Sequence, residues 1–429
     1  MRLWLPLFLI LLTSLHAPLL YAEDDDAQTA YVMGVGYQDL GELERAIRYY
    51  TRAISKDSKF AKAYHNRGVA QAQLGDPVKA EADFTKALEL DPAFVKAYLN
   101  RGRVLVEQGK LAGALADFSQ AAALDPKAAD AYLERGAVYR RRGDLANALA
   151  DYTRAIALDP YLGEAYRRRA DLRRQQGDLD GALADYTAQL KLHYEPAVAH
   201  VGRGTVYEQR GDAKDALAEY TRAIDATPKT PDAYRKRADL RLASRELEGA
   251  AADYTMLLTL LPEDDPPGRA SAQYNRGIIR LEQGDQAVAL ADFNGTIALQ
   301  PDFVDAYEQR AMLRWQAGDL AGASADLTAV IARKPEDARA YYNRGLAKFS
   351  QGDAAGAAAD ATVAIERNPA FAEAYAARAE ARGRQGDLTG GIADLEQAVS
   401  LAAPVLKERL QARLEHVRAT LAPAASPGS

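Results

Sequence analysis

The chain has 429 residues, 48% of them apolar, and a formal net charge of −6, the composition of a folded protein too long for one ordinary core. It has no cysteine, which excludes disulfides, thiol catalysis and thiolate metal sites. Its 54 lysines and arginines are spread through an acidic chain, which argues against nucleic-acid binding, and its five histidines (His16, His65, His193, His200, His416) show no ligand spacing, so neither metal nor cofactor is expected.

Residues 1–22 read as a signal peptide: Arg2 precedes an apolar run, Leu3 to Leu12, and Ala22 precedes the acidic linker 23–26. The alternative is an uncleaved anchor, since residues 3–22 are just long enough to span a bilayer, although Pro6, His16 and Pro18 interrupt them. Cleavage after Ala22 removes only Arg2 among charged residues and lowers the charge from −6 to −7. An exported chain without cysteine suits a bacterial periplasm, because secreted eukaryotic domains of this size more often carry disulfides.

From residue 27 the chain repeats. "AYHNRGVAQAQLGDPVKAEADFTKALELDP" (63–92) returns as "AYLNRGRVLVEQGKLAGALADFSQAAALDP" (97–126) and again at 131–160. The period is 34 residues. Eleven copies start at Ala27, Ala61, Val95, Ala129, Gly163, Ala197, Pro231, Ala270, Val304, Ala338 and Ala372. Copies one to seven occupy 27–262 and copies eight to eleven 270–405; between them a Pro- and Asp-rich insertion, 263–269, reads as a loop. Each copy reads as two helices. In the second, Tyr64, Gly68, Gln71 and Leu74 form one stripe, and Ala80, Phe84, Ala87 and Leu88 form another. Gly75 is placed to end the first helix, Asp76 to cap the next, Pro77 to sit in its first turn, and Asp91-Pro92 to stop it.

These residues resemble the tetratricopeptide repeat (TPR) pattern. Position 4 holds Tyr64, Tyr98, Tyr132, Tyr166, Tyr234, Tyr307, Tyr341 and Tyr375. Position 20 is Ala in ten copies and Gly391 in the last; position 24 is aromatic from Tyr50 to Phe293. Departures include Gln189 and Leu257 at position 27, Arg173 at position 11, and Ala361 and Leu395 at position 24. The resemblance implies an all-α, right-handed superhelical α-solenoid of eleven helix-turn-helix repeats. Residues 406–420 would add a C-terminal capping helix with Leu406, Leu410, Leu414 and Val417 on one face, and the tail 421–429 would be disordered.

Position 7 departs from the pattern systematically. It is arginine in ten copies: Arg67, Arg101, Arg135, Arg169, Arg203, Arg237, Arg276, Arg310, Arg344 and Arg378. Sixteen residues later stands an acid: Asp83, Asp117, Asp151, Asp185, Glu219, Asp253, Asp292, Asp326, Asp360 and Asp394. Copy one has Met33 and lacks the acid too, having Tyr49. Residues that come and go together point to a structural ion pair inside each hairpin, with arginine chosen for its fork of donors. The other reading is an arginine ladder gripping an anionic ligand, which would not need a matched acid.

In the family that the sequence resembles, the first helices line a concave groove through repeat positions 2, 5, 6, 9, 12 and 13. Mapped here, these positions give a basic zone (Arg140, Arg141, Arg167, Arg168, Arg174), to which copy seven adds Arg235 and Lys236. They also give an apolar zone in copies eight to ten: Tyr274, Ile278, Leu281, Met312, Trp315, Tyr342, Leu346 and Phe349. The plainer readings are that the apolar residues pack against neighbouring copies and that the arginines are solvated and partly offset by Glu164 and Asp171. The carboxylate clamp of chaperone-binding TPR domains is not formed: around Asn66 and Asn275 the clamp positions hold the wrong residues. No GxSxG, P-loop or HExxH occurs, and the repeats leave no room for a catalytic domain. The expected function is a non-enzymatic protein–protein interaction scaffold of the bacterial cell envelope, binding a peptide or protein segment. The alternatives are an anionic polysaccharide held by the arginines, or self-assembly.

Overall fold

A computed structural model describes residues 26–421; the expected signal peptide, most of the acidic linker and the tail after 421 lie outside the described residues. Among the described residues there are 23 helices and no strand, and two compact units divide the chain after Gly211. The first unit pairs α1 (Ala27–Asp39) with α2 (Leu43–Lys56), α3 (Ala61–Gln73) with α4 (Pro77–Leu90), and α5 (Val95–Glu107) with α6 (Leu111–Leu124). It continues with α7 (Ala129–Arg141) on α8 (Leu145–Leu158), α9 (Gly163–Gln175) on α10 (Leu179–Lys191), and ends on α11 (Pro196–Arg210). The second unit begins with α12 (Ala213–Ala226) and pairs α13 (Pro231–Ala243) with α14 (Leu247–Leu260) and α15 (Pro266–Glu282) with α16 (Gln286–Leu299). It then pairs α17 (Val304–Gln316) with α18 (Leu320–Arg333), α19 (Ala338–Ser350) with α20 (Ala354–Arg367), and α21 (Ala372–Arg384) with α22 (Leu388–Leu401). Helix α23 (Pro404–Leu421) packs on α22 through Leu410 and Leu414, as a cap over the last hairpin should.

The turns follow the expected chemistry. Gly75 takes φ +79° after α3, and Asp76 caps α4 by accepting a hydrogen bond from the Lys79 amide at 3.1 Å. The same glycine recurs in every hairpin turn but one: in copy seven Arg245 holds that left-handed position with φ +61°. The insertion differs from its expectation. Residues 266–269 are helical, and α15 has 17 residues where other first helices have 13 to 15. Pro266 and Pro267 suit a first helical turn, and Asp265 caps it by accepting from the Gly268 amide. The extra residues therefore lengthen a helix, and only 261–265 remain as connection.

Within each hairpin the two helices meet at small residues. A Cβ added to Gly34, Gly102 or Gly277 would lie 2.6–2.8 Å from the ring of Tyr50, Phe118 or Phe293 at position 24. Glycine at position 8 is thus the space into which the second helix sets its ring. Within each unit, first helices of neighbouring copies touch one another (α1 with α3, α3 with α5, α5 with α7, α19 with α21), so these helices form the inner face of the stack.

Candidate functional site

The position-7 arginines are structural. In all nine copies where arginine and acid lie in one unit, Nε and Nη2 grip the two carboxylate oxygens of the acid as a fork, at 2.7 and 2.7 Å for Arg67–Asp83 and at 2.8 and 2.7 Å for Arg101–Asp117. Arg135–Asp151 and Arg276–Asp292 repeat that geometry, and the carboxylates are buried. Hydrogen bonding to Asp83 and Asp117 holds the Arg67 and Arg101 guanidinium groups above their ordinary pKa against the opposing effect of burial.

Two further partners were not anticipated from sequence. The remaining nitrogen, Nη1, reaches back to the preceding hairpin: Arg67 donates to Thr51 at 3.0 Å, Arg101 to Thr85 at 3.2 Å, Arg237 to Thr221 at 3.0 Å and Arg310 to Asn294 at 2.7 Å. Arg276 keeps this bond, to Thr255 at 3.2 Å, across the five-residue insertion. The guanidinium also lies over the position-4 tyrosine, 5.6 Å from the ring centre for Arg67 on Tyr64 and 5.2 Å for Arg135 on Tyr132. One arginine therefore ties its own hairpin together and fastens it to the one before. Position 11 explains another departure: Arg173, Arg241, Arg314 and Arg382 each place Nη1 within 2.7–2.9 Å of the same buried Asp as a second cation. Lys348 does so for Asp360 at 2.9 Å.

The basic zone is largely neutralised. Arg167 lies 3.3–3.6 Å from Glu164, Asp171 and Glu195, and Arg168 holds Glu164 at 2.6 Å. Neighbouring acids one helical turn away or in the next hairpin lie beside both guanidinium groups, although Arg167 Nε makes no hydrogen bond. Arg174 lies against the buried Tyr186 hydroxyl. Only Arg140 and Arg141 of the five are exposed, and Arg141 makes one long contact, 3.5 Å, to the Val106 carbonyl.

The apolar zone divides. Tyr274, Ile278 and Leu281 pack against the buried cluster of Ala289, Phe293 and Leu313, and Tyr274 meets Phe303 at 4.9 Å between ring centres. Tyr342 packs on Phe371 at 5.0 Å. These four help close the seams between copies while remaining partly exposed. Met312 is 42% exposed, and Trp315, Leu346 and Phe349 are partly exposed along α17 and α19. Phe349 carries the Arg384 guanidinium 4.5 Å over its ring. In the first unit the corresponding inner face is polar. Asn66 donates to Tyr31 at 3.0 Å and shares a 2.9 Å hydrogen bond with His65, whose other ring nitrogen meets Asn100 at 3.0 Å. Arg103 extends the chain to Glu134 at 2.8 Å. Among the described residues, no group of three His, Asp or Glu side chains could hold a metal ion.

The sequence comparison agrees with this architecture. A tetratricopeptide repeat model matches residues 99–162, 167–231, 204–265, 232–302 and 309–370, well over half of the chain, and two related repeat models match 61–94 and 37–75. The chain belongs to the tetratricopeptide repeat family. No curated protein matches it. Among solved structures it is similar to a tetratricopeptide repeat protein from Parabacteroides merdae (23% identity, 59% of this chain, 98% of that one, TM-score 0.44). It is also similar to YrrB, described as a TPR protein with an unusual peptide-binding site (26% identity, 43% and 96%, TM-score 0.38), and to Pseudomonas aeruginosa pilF (19%, 50% and 97%, TM-score 0.45).

Proposed function

We propose that the chain is a protein-binding scaffold of the bacterial cell envelope that grips a segment of a partner protein through Met312, Trp315, Leu346 and Phe349. The observation that carries this is their partial exposure on consecutive inner helices, α17 and α19, where solvated side chains would cost less. A helix or extended segment with two or three apolar side chains would bury them. The family supports the general role, since tetratricopeptide repeats are mostly scaffolds without catalysis; the partner, and the envelope as its place, are our reading. Export rests on the apolar run from Leu3 to Leu12 and on Ala22, and N-terminal sequencing of the protein recovered from cells tests it. An anionic polysaccharide is the weaker alternative, because acids already hold Arg167 and Arg168.

A photoactivatable side chain at Trp315 should crosslink one discrete partner in intact cells, and Phe349→Ala should remove that adduct without changing the circular dichroism. The same group at Val78, which is exposed on α4, serves as control. Equal adducts from both positions, or none from Trp315, would remove the apolar strip from consideration.

A further inference from the structure

Four seams between copies are plugged from within by ring packing. The position-5 side chain packs on the residue that precedes the next first helix: Tyr31 on Phe60, His65 on Phe94, Tyr274 on Phe303 and Tyr342 on Phe371, all at 4.7–5.0 Å between ring centres. The seam between copies seven and eight has no such plug. Position 5 there is Arg235, and the connection is the acidic stretch at the insertion. A cavity of about 500 Å³ lies between α13, α14 and α15. Its lining includes Leu257, Leu261 and Tyr254. The Tyr254 hydroxyl is buried, donates to Asp239 Oδ1 at 2.5 Å and accepts from Asn275 Nδ2 at 3.1 Å.

The chain contains a filled version of the same arrangement. Copy five has an acid, arginine, aspartate and tyrosine at the same repeat positions: Glu164, Arg167, Asp171 and Tyr186 against Asp232, Arg235, Asp239 and Tyr254. Tyr186 donates to Asp171 at 2.6 Å, as Tyr254 does to Asp239. In copy five, however, Arg167 lies 3.6 Å from Asp171 Oδ2, and position 12 supplies a second guanidinium, Arg174, on the same helix. In copy seven the counterpart of Arg174 is Leu242, and Arg235 turns to Asp232 at 2.7 Å. Asp239 is exposed at the cavity, where Arg235, the one guanidinium of the lining, pairs with Asp232, and Asp265 adds a further carboxylate. Three carboxylates against one guanidinium leave the lining acidic.

We propose that this crevice receives an arginine side chain of a protein partner, its guanidinium against Asp239 and its aliphatic stem along Leu257 and Leu261. The guanidinium would stand where copy five supplies its own, and the stem would replace the missing plug. The proposal shares with the apolar strip only the reading that the chain holds a protein.

The test is a titration of the full chain with the peptide acetyl-Gly-Arg-Gly-amide, followed by NMR of the Asn275 side-chain amide, with acetyl-Gly-Glu-Gly-amide as control. Saturable shifts are expected for the arginine peptide alone. Asp239→Asn should weaken binding about tenfold, the loss of a charge-assisted contact. Leu242→Arg, which copies the self-filled copy five, should weaken it at least as much. Trp315→Ala should leave it unchanged, so failure of the apolar strip and failure of this site are read separately. Absence of saturable shifts, equal shifts with the glutamate peptide, or full binding by both Asp239→Asn and Leu242→Arg would overturn the proposal.

Discussion

Replacing Arg101 by alanine removes four contacts at once. It takes away two charge-assisted hydrogen bonds to Asp117, at 2.8 and 2.7 Å, one bond to Thr85 at 3.2 Å and the face of Tyr98 at 5.8 Å. The larger cost is what remains: the Asp117 side chain is 6% exposed, and copy three offers it no second cation, because position 11 there is Leu105. Breaking one side of a buried pair costs about 3–5 kcal/mol; the Arg101 side chain keeps 21% exposure, which places this pair near ~3 kcal/mol. Copy five supplies the control. When Arg169 is replaced by alanine, Arg173 still holds Asp185 at 2.9 Å, so the cost should fall to roughly half. The pair Arg101→Met with Asp117→Tyr, which copies Met33 and Tyr49 of copy one, should recover most of the loss, since no charge is left buried. Urea unfolding followed by circular dichroism, with hydrogen exchange of α5 and α6 to localise the change, measures all three variants. The reasoning is refuted if Arg101→Ala costs less than ~1 kcal/mol, if Arg169→Ala costs as much, or if the double variant is no better than the single.

Three other outcomes are expected. Arg245→Gly should raise stability by ~0.5–1 kcal/mol in the same melts, because φ +61° strains a residue with a Cβ and the exposed contact to Glu282 at 3.3 Å is worth little. Gly102→Ala should cost ~2 kcal/mol, its Cβ falling 2.6 Å from the Phe118 ring; Gly345→Ala, where position 24 is Ala361 and the nearest atom is 3.3 Å away, should cost less than ~0.5 kcal/mol. Burial lowers the pKa of His65 below its ordinary 6.5, against a hydrogen bond with Asn66 that raises it. The unfolded chain therefore binds the proton first, so stability is full above 6.5 and falls as the pH drops through the lowered value. Urea melts at pH 7.5 and 5 should show this loss in the native chain and a smaller one in His65→Gln.

The period carried most of the fold. Helix starts at Ala27, Ala61, Val95 and Ala129 coincide with the copy starts, and the arginine–acid spacing of sixteen is a contact in the nine copies where both residues lie in one unit. The bond to the preceding hairpin was hidden by that same spacing: Arg67 stands sixteen residues before Asp83 and sixteen after Thr51. A charged partner announces itself in a sequence; a hydroxyl does not, although Thr51, Thr85 and Thr153 recur on schedule. In the apolar zone, position 5 serves two roles. Tyr274 and Tyr342 sit on the inner helices, but each finds an aromatic in the next connection to cover it. The insertion was misjudged because Pro-Pro marks a loop and a helix start equally well; the capping Asp265 decided it.

The arginine ladder now separates what can vary from what cannot. In the nine copies where arginine and aspartate lie in one unit, the position-7 guanidinium has its fork on that aspartate, and in most of them its last nitrogen on the preceding hairpin and its face on a tyrosine. Such a group is engaged through most of its nitrogens, and moving it would loosen two hairpins together. Positions 5, 9 and 12 carry side chains that the ladder does not hold, and under the proposed function they would set specificity. Those positions carry Arg235, Asp239 and Leu242 in copy seven, Met312 and Trp315 in copy nine, and Phe371-covered Tyr342 in copy ten. An open crevice needing a cation and an apolar strip needing a cover thus fall within four consecutive copies of one unit. A single partner segment that satisfies both would carry an arginine and, separately along its length, its apolar anchors.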